Sequence, residues 1–204
     1  MPDLRIVSTT LDAGDEGALI DRVRPLSPDV LIVHDGPRRL RWRTRSADLA
    51  ARLQLYYGAG GEESLGNLVL VSMRVTMVRS RAVRFPLTPG RKMRGAVVAQ
   101  ASVAGVPFTV VGTQLAPDDD ERLKQLAIVH SEVSAVEGPL ILAADVNESL
   151  GAGAWAELAR DYVAVGPEPA EIFLSSDVDV RGYRAVEGGI RPSAVADLAL
   201  SAPS

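Results

Sequence analysis

Apolar residues along the chain follow two patterns: short continuous runs, and longer stretches with a spacing of three to four residues. The runs at residues 4–8, 29–33 and 139–143 are nearly unbroken, which predicts strands covered on both faces. Between the first two, Glu16–Val23 keeps helical spacing after the turn at Gly14. Residues 46–53 do so as well, opening on Ser46 and Asp48, residue types that favour a helix start.

The texture then changes. Gly58, Ala59, Gly60 and Gly61 predict a flexible loop, followed by strands over residues 67–72, 75–86, Gly95–Val103 and 107–114. Ala104-Gly105-Val106-Pro107 reads as a tight hairpin turn between the last two. Asp118, Asp119, Asp120 and Glu121 put negative charge where a helix N-terminus favours it, and Leu123, Leu126, Ala127, Val129, Val133 and Val136 continue at helical spacing. A helix near residues 152–160 and short strands at 162–165, 171–175 and 195–200 complete the pattern. No linker, low-complexity tract or repeat divides it, so one domain of two packed sheets with helices outside is expected.

Composition narrows this further. At 204 residues the chain can bury a sizeable core, and with aromatics at only 4 % that core must be largely aliphatic. The absence of cysteine excludes disulfides and thiolate metal sites. No basic start leads into an apolar stretch, and no window reaches the ~18 apolar residues of a membrane span, so a soluble cytoplasmic protein is the expectation. The net charge of −4 hides an uneven distribution: residues 35–94 hold 13 Arg and Lys against 4 Asp and Glu. That block either forms a patch for a phosphate-containing or acidic partner, or spreads over strand edges and neutralises acidic segments of the same domain. An acidic chain with neither a helix-turn-helix nor a zinc pattern argues against sequence-specific DNA binding.

The order of segments resembles the endonuclease/exonuclease/phosphatase superfamily along nearly the whole chain. The sharpest match is Ala144-Asp145-Val146-Asn147, which stands where that family has Gly-Asp-any-Asn. Gly66-Asn67-Leu68-Val69-Leu70-Val71-Ser72 is similar to its Gly-Asn strand, and Gly112-Thr113-Gln114-Leu115 to its Thr-His-Leu strand end, with the helix-borne Arg122 and Gln125 following. Pro169-Ala170-Glu171-Ile172-Phe173 occupies the place of Ile-Asp-any-Ile-Phe. Other positions depart. Thr9 and Thr10 stand at Trp-Asn, and His34 and Asp35 at Gln-Glu. The closing Gly189-Ile190-Arg191-Pro192-Ser193-Ala194-Val195-Ala196-Asp197-Leu198 keeps the strand but lacks the Asp-His pair.

The resemblance implies a four-layered α/β sandwich, two packed mixed sheets flanked by helices, and phosphoester hydrolysis with Mg²⁺ or Mn²⁺. Such chemistry needs a hard cation held by oxygen ligands, a base, and donors for charge developing on phosphoryl oxygens. Asp35 would serve as metal ligand, and Asp145, Asn147, Gln114 and His34 as catalytic or phosphate-orienting residues. Asp145 and Asn147 equally suit a simple turn, since such side chains bond the backbone two residues on. His34 either points into the cleft or caps its strand, and His130 is expected on a solvated helix face. Losing base and ligand together removes most of a catalytic unit's effect. The expectation is a non-hydrolytic binding protein, a pseudo-hydrolase that holds a metal or none. The alternatives are a divergent Mg²⁺- or Mn²⁺-dependent phosphoesterase or nuclease, and an enzyme of another class reusing the cleft. Arg38, Arg39, Arg41 and Trp42 follow Asp35 directly, and arginines interleaved with a tryptophan suit phosphate binding and ring stacking. The same residues equally suit a solvated loop with Trp42 tucked into the core.

Overall fold

The computed structural model describes residues 1–148, 153–166, 171–189 and 191–201. Ala152, Pro169, Ala170 and Ile190, which figure in the sequence expectations, lie outside the described residues.

The elements are β1 (Asp3–Thr10), α1 (Glu16–Val23), β2 (Val30–His34), α2 (Trp42–Arg52), β3 (Tyr56–Gly61), β4 (Asn67–Val71), β5 (Val75–Arg84), β6 (Gly95–Val103), β7 (Val106–Gln114), α3 (Asp119–Val133), β8 (Leu140–Asp145), α4 (Gly153–Asp161), β9 (Val163–Val165), β10 (Ile172–Leu174), β11 (Val178–Val186) and β12 (Ser193–Leu200). They build two six-stranded sheets, ordered β11-β12-β1-β2-β4-β3 and β5-β6-β7-β8-β10-β9. Each sheet is mixed: β1 with β2 and β7 with β8 run parallel, and the other pairs run antiparallel.

Strand alternation sorts the core into three apolar layers. Leu4, Ile6, Val30, Ile32, Val97, Val110, Ile141 and Ala143 meet between the sheets. Their neighbours Val7, Leu31 and Val33 face outward under α1 and α2, against Leu19, Val23 and Leu49. Val111 and Leu142 face the other way, under α3 and α4, against Leu126, Val129 and Leu158. Three apolar layers between four structural layers make the expected sandwich, each buried aliphatic side chain contributing roughly 1.5–3 kcal/mol of transfer free energy. Asp15 and Asp118 cap α1 and α3, accepting from Ala18 N at 3.0 Å and Glu121 N at 3.1 Å.

Two expectations require correction, and one strand was not foreseen. The glycine run 58–61 is no loop: it belongs to β3 and pairs with β4. Its glycines answer close approaches, since a Cβ on Gly60 would stand 2.1 Å from the Asn67 carbonyl oxygen and one on Gly61 2.5 Å from the Trp42 ring. Helix α2 begins at Trp42, a turn before Ser46, because Trp42 packs on Gly61; Ser46 is buried inside the helix. Strand β11 lies on a sheet edge, and its opening Val-Asp-Val-Arg alternation is broken by the bulge between Val180 and Gly182, which shortens the pattern that would announce it.

Beneath the future site, Gly112 on β7 lets the sheets close up. A Cβ there would lie 2.9 Å from Ile32 Cγ2 and 3.2 Å from Val97 Cγ1.

Candidate functional site

The inter-sheet layer is apolar until its strands end, and there the inward positions turn polar. Ser8 and Thr10 continue β1, His34 ends β2, Asn67 begins β4, Gln114 ends β7 and Asp145 ends β8. Parallel strands that finish side by side leave a crevice at their carboxyl ends. The register places Thr10 opposite His34 and Gln114 opposite Asp145.

His34 lies below this crevice and not in it. Its Nε2 is 3.1 Å from Ser8 Oγ and its Nδ1 is 3.1 Å from Asn67 Oδ1. The Asn67 amide donates to the carbonyls of Ser64 and Gly95, which fixes its oxygen toward His34 and puts the ring proton on Nδ1. Burial lowers the pKa of His34, so the ring is neutral. The structure thus assigns it the strand-end role and removes it from the cleft-facing set. His130, on α3, is half-buried beside Asp161, with Nδ1 3.9 Å from Oδ2.

The two candidate carboxylates share a donor. Gln114 Nε2 donates to Asp35 Oδ2 at 3.1 Å and to Asp145 Oδ2 at 3.0 Å. Lys92 Nζ donates to Asp35 Oδ1 at 2.5 Å, and Arg38 stands 3.9 Å from the same oxygen. Burial alone would raise Asp35, but Lys92, the Gln114 amide and Arg38 together outweigh it and hold the carboxyl below the usual range. Asp145 is buried and takes a guanidinium N–H of Arg191, whose other arm donates to Asn147 Oδ1 at 2.9 Å. Asp145 Oδ1 also accepts from Asn147 N at 3.2 Å, so the pair forms the Asx-type turn and belongs to the charged network at once. Asn147 Nδ2 ties the turn to the Leu115 carbonyl at 2.8 Å.

Three further residues join these. Arg94 is half-buried among Asp35, Asp145, Glu121 and Arg38, and burial lowers its pKa. Its Nη1 has no hydrogen-bond partner among the described residues. Glu171 stands beside Asp145 and Ser8; burial, reinforced by the Asp145 charge, raises its carboxyl to about 7. At the rim, Glu148 accepts from the backbone N–H of Trp155, in the first turn of α4, at 2.8 Å. Lys92, Arg94 and Arg191 carry no motif. Lys92 and Arg94 lie in the basic block and Arg191 in the closing segment, but nothing in the sequence singled them out as site residues.

The arginine–tryptophan cluster divides in two. Arg38 and Arg39 line a cavity of about 450 Å³ at the cleft mouth with Leu11, Asp35, Arg45 and Lys92. Arg41 and Trp42 are not among its lining residues. Arg41 is the left-handed N-cap of α2, and the Trp42 ring lies against Gly61, 6.5 Å from Tyr57, with the Arg43 guanidinium 4.5 Å above it.

No protein-family model matches the sequence, and no curated protein matches it closely enough to count as a relative. Solved structures do. A functionally unknown conserved protein from Enterococcus faecalis V583 is similar with a TM-score of 0.79 at 13% identity, over 97% of this chain and 100% of that one. The human nocturnin catalytic domain with bound sulfate gives 0.77 at 14% identity, over 98% and 94%. An endonuclease/exonuclease/phosphatase from Bacteroides vulgatus gives 0.73 at 14% identity, over 98% and 100%. The chain has the endonuclease/exonuclease/phosphatase fold.

That fold raises the question of a divalent ion, and the donor set answers it. A hard cation needs several oxygen ligands with free lone pairs. Here N–H donors of Lys92, Gln114 and Arg191 are already directed at Asp35 and Asp145. Among the described residues, no group of three or more His, Asp or Glu is placed to hold a metal. The residues at the cleft of this endonuclease/exonuclease/phosphatase fold therefore do not fit Mg²⁺ or Mn²⁺. Among the described residues, no helix is long and apolar enough to cross a membrane.

Proposed function

We propose that the protein binds a phosphate-containing or acidic ligand, free or carried on a protein partner, at the mouth of the cleft and does not hydrolyse it. The observation that carries this reading is the mouth cavity, lined by Arg38, Arg39, Arg45 and Lys92 together with Asp35; Lys92 pairs with Asp35 and Arg45 with Glu16, while Arg38 and Arg39 leave a positive excess there. Cationic groups gathered on a concave surface favour anions. The segment that presents them holds Asp35, Arg39 and Arg41 at φ values of 54°, 72° and 62°. Such backbone costs on the order of 1–3 kcal/mol per residue and clusters where function requires it. The non-hydrolytic half of the reading rests on His34, whose ring nitrogens are both engaged below the cleft.

A divergent phosphoesterase is the competing reading, and Glu171 is the observation in its favour. A carboxyl raised to about 7 exchanges its proton near neutrality, as a general base does.

Product release from phosphomonoesters, phosphodiesters and nucleic acids, with Mg²⁺ or Mn²⁺ and beside Asp145→Ala, separates the two readings. Equal background from both proteins is expected, together with pyrophosphate binding that weakens about tenfold or more in Arg38→Gln/Arg39→Gln. Metal-dependent turnover abolished by Asp145→Ala would overturn the proposal.

A further inference from the structure

We propose that the cleft carries its own counter-cation: Arg191 and Lys92 neutralise Asp145 and Asp35 as fixed charges, and by doing so keep divalent ions out. The inference rests on the non-hydrolytic reading above and gives it a physical cause.

The argument starts from charge. Asp35 and Asp145 are drawn together by one amide group, Gln114 Nε2, at 3.1 and 3.0 Å. Two ionised carboxylates so close raise each other's pKa unless a cation stands with them. Here a cation from the chain itself stands with each of them. Lys92 supplies it on one side, at 2.5 Å. Arg191 supplies it on the other, and its planar fork does what a point charge cannot, engaging Asp145 and Asn147 with separate N–H groups. Those are the two residues that make the sharpest match to the family's Gly-Asp-any-Asn. Arg191 comes from the segment in which the Asp-His pair is missing, so the residue that fills the cleft comes from where that pair was lost.

Arg94 tips the balance further. Together with Lys92 and Arg191, and with Arg38 at 3.9 Å from Asp35, it surrounds the two aspartates with positive charge, and the charges of Asp35 and Asp145 are among those that act on it most strongly. A divalent ion entering here would have to displace two charge-assisted hydrogen bonds and then sit beside the Arg94 guanidinium, whose Nη1 has no partner among the described residues. Removing the fixed cations should therefore uncover a site that the fold can still form.

Calorimetric titration with MnCl₂ tests this on the wild type, Lys92→Met, Arg191→Met, the double variant and Arg191→Lys, with far-UV circular dichroism confirming that each is folded. The wild type and Arg191→Lys, which keeps the charge, should show no saturable binding in the millimolar range. The double variant should bind Mn²⁺ at least about tenfold more tightly, and adding Asp145→Asn should abolish that gain. Lys92 is exposed, so Lys92→Met keeps the test alive if the Arg191 variants fail to fold. Folded variants that gain no affinity would overturn the inference. So would Mn²⁺ binding by the wild type at the variants' affinity; without product release that outcome leaves the binding-protein reading standing, whereas metal-dependent turnover overturns both.

Discussion

Arg122 and Glu148 face each other at 3.1 Å, with 4% and 7% of their side chains exposed. The pair joins α3 to the segment that follows β8, and so fixes the loop that presents Asn147. Arg122 also donates to the Ala116, Pro117 and Asn147 carbonyls, while the second oxygen of Glu148 holds the first turn of α4 through Trp155 N.

Removing one partner of such a pair strands a buried charge. Arg122→Met is expected to destabilise the protein by about 3–5 kcal/mol, read from urea midpoints. The double variant Arg122→Met/Glu148→Gln should recover part of the loss, because no buried ion is left unpaired; Asp119, the other partner of Arg122, is exposed. A single variant costing less than about 1 kcal/mol, the value of an exposed pair, would mean that water reaches the bridge.

Glu171 and His34 titrate against each other. Burial, with the Asp145 charge, raises Glu171 from 4.5 to about 7, so the folded state retains a proton that the unfolded chain has released. Its contribution is complete below about 4.5 and is lost as pH rises towards 7. Burial lowers His34 from 6.5, so its contribution is complete above 6.5 and is lost as pH falls. The opposed slopes predict a shallow dependence for the wild type between pH 5 and 7. Glu171→Gln should unmask the His34 slope, with stability rising with pH, and exceed the wild type at pH 8 by on the order of 1–3 kcal/mol. Urea midpoints across this range check it; an unchanged slope would place the titration elsewhere.

Arg39→Gly should stabilise the protein while weakening the ligand. Arg39 sits at φ 72°, where glycine carries no penalty from a side chain, and relief is worth about 1 kcal/mol. The same change takes one cation from the mouth cavity. A higher melting temperature with weaker pyrophosphate binding is the expected pairing, and a fall in both would show that the Arg39 side chain stabilises the loop.

Gly112→Ala should wedge the sheets apart under the site. The added methyl would sit 2.9 Å from Ile32 Cγ2, and overpacking of this kind costs about 1–3 kcal/mol. A shift in urea midpoint of that size, without a change in slope, is the expected result.

The runs that became β1, β2 and β8 were legible because inter-sheet strands bury both faces and read as unbroken apolar segments. Asp145, Asn147 and Gln114 were legible only through the family resemblance, and the fold sets Gln114 and Asp145 opposite each other at adjoining strand ends. Strand β3 was not, because its glycines look like flexibility when they record contact with Asn67 and Trp42. Lys92 and Arg191 were not either. One long side chain follows β5 and the other precedes β12, and only the folded chain brings them to carboxylates 57 and 46 residues away. His34 showed its type but not its direction, which the fixed amide of Asn67 decides.

The chain has two tryptophans, and the fold stations them at different places. Trp42 lies beneath the Arg43 guanidinium, on the segment that leads from the cleft mouth, while the backbone of Trp155 hangs from Glu148. With either one replaced by Phe, the remaining emission has a single origin. A ligand arriving at the mouth and a loosening of the Asn147 loop then become two distinguishable optical signals, each obtained from one protein without an added dye.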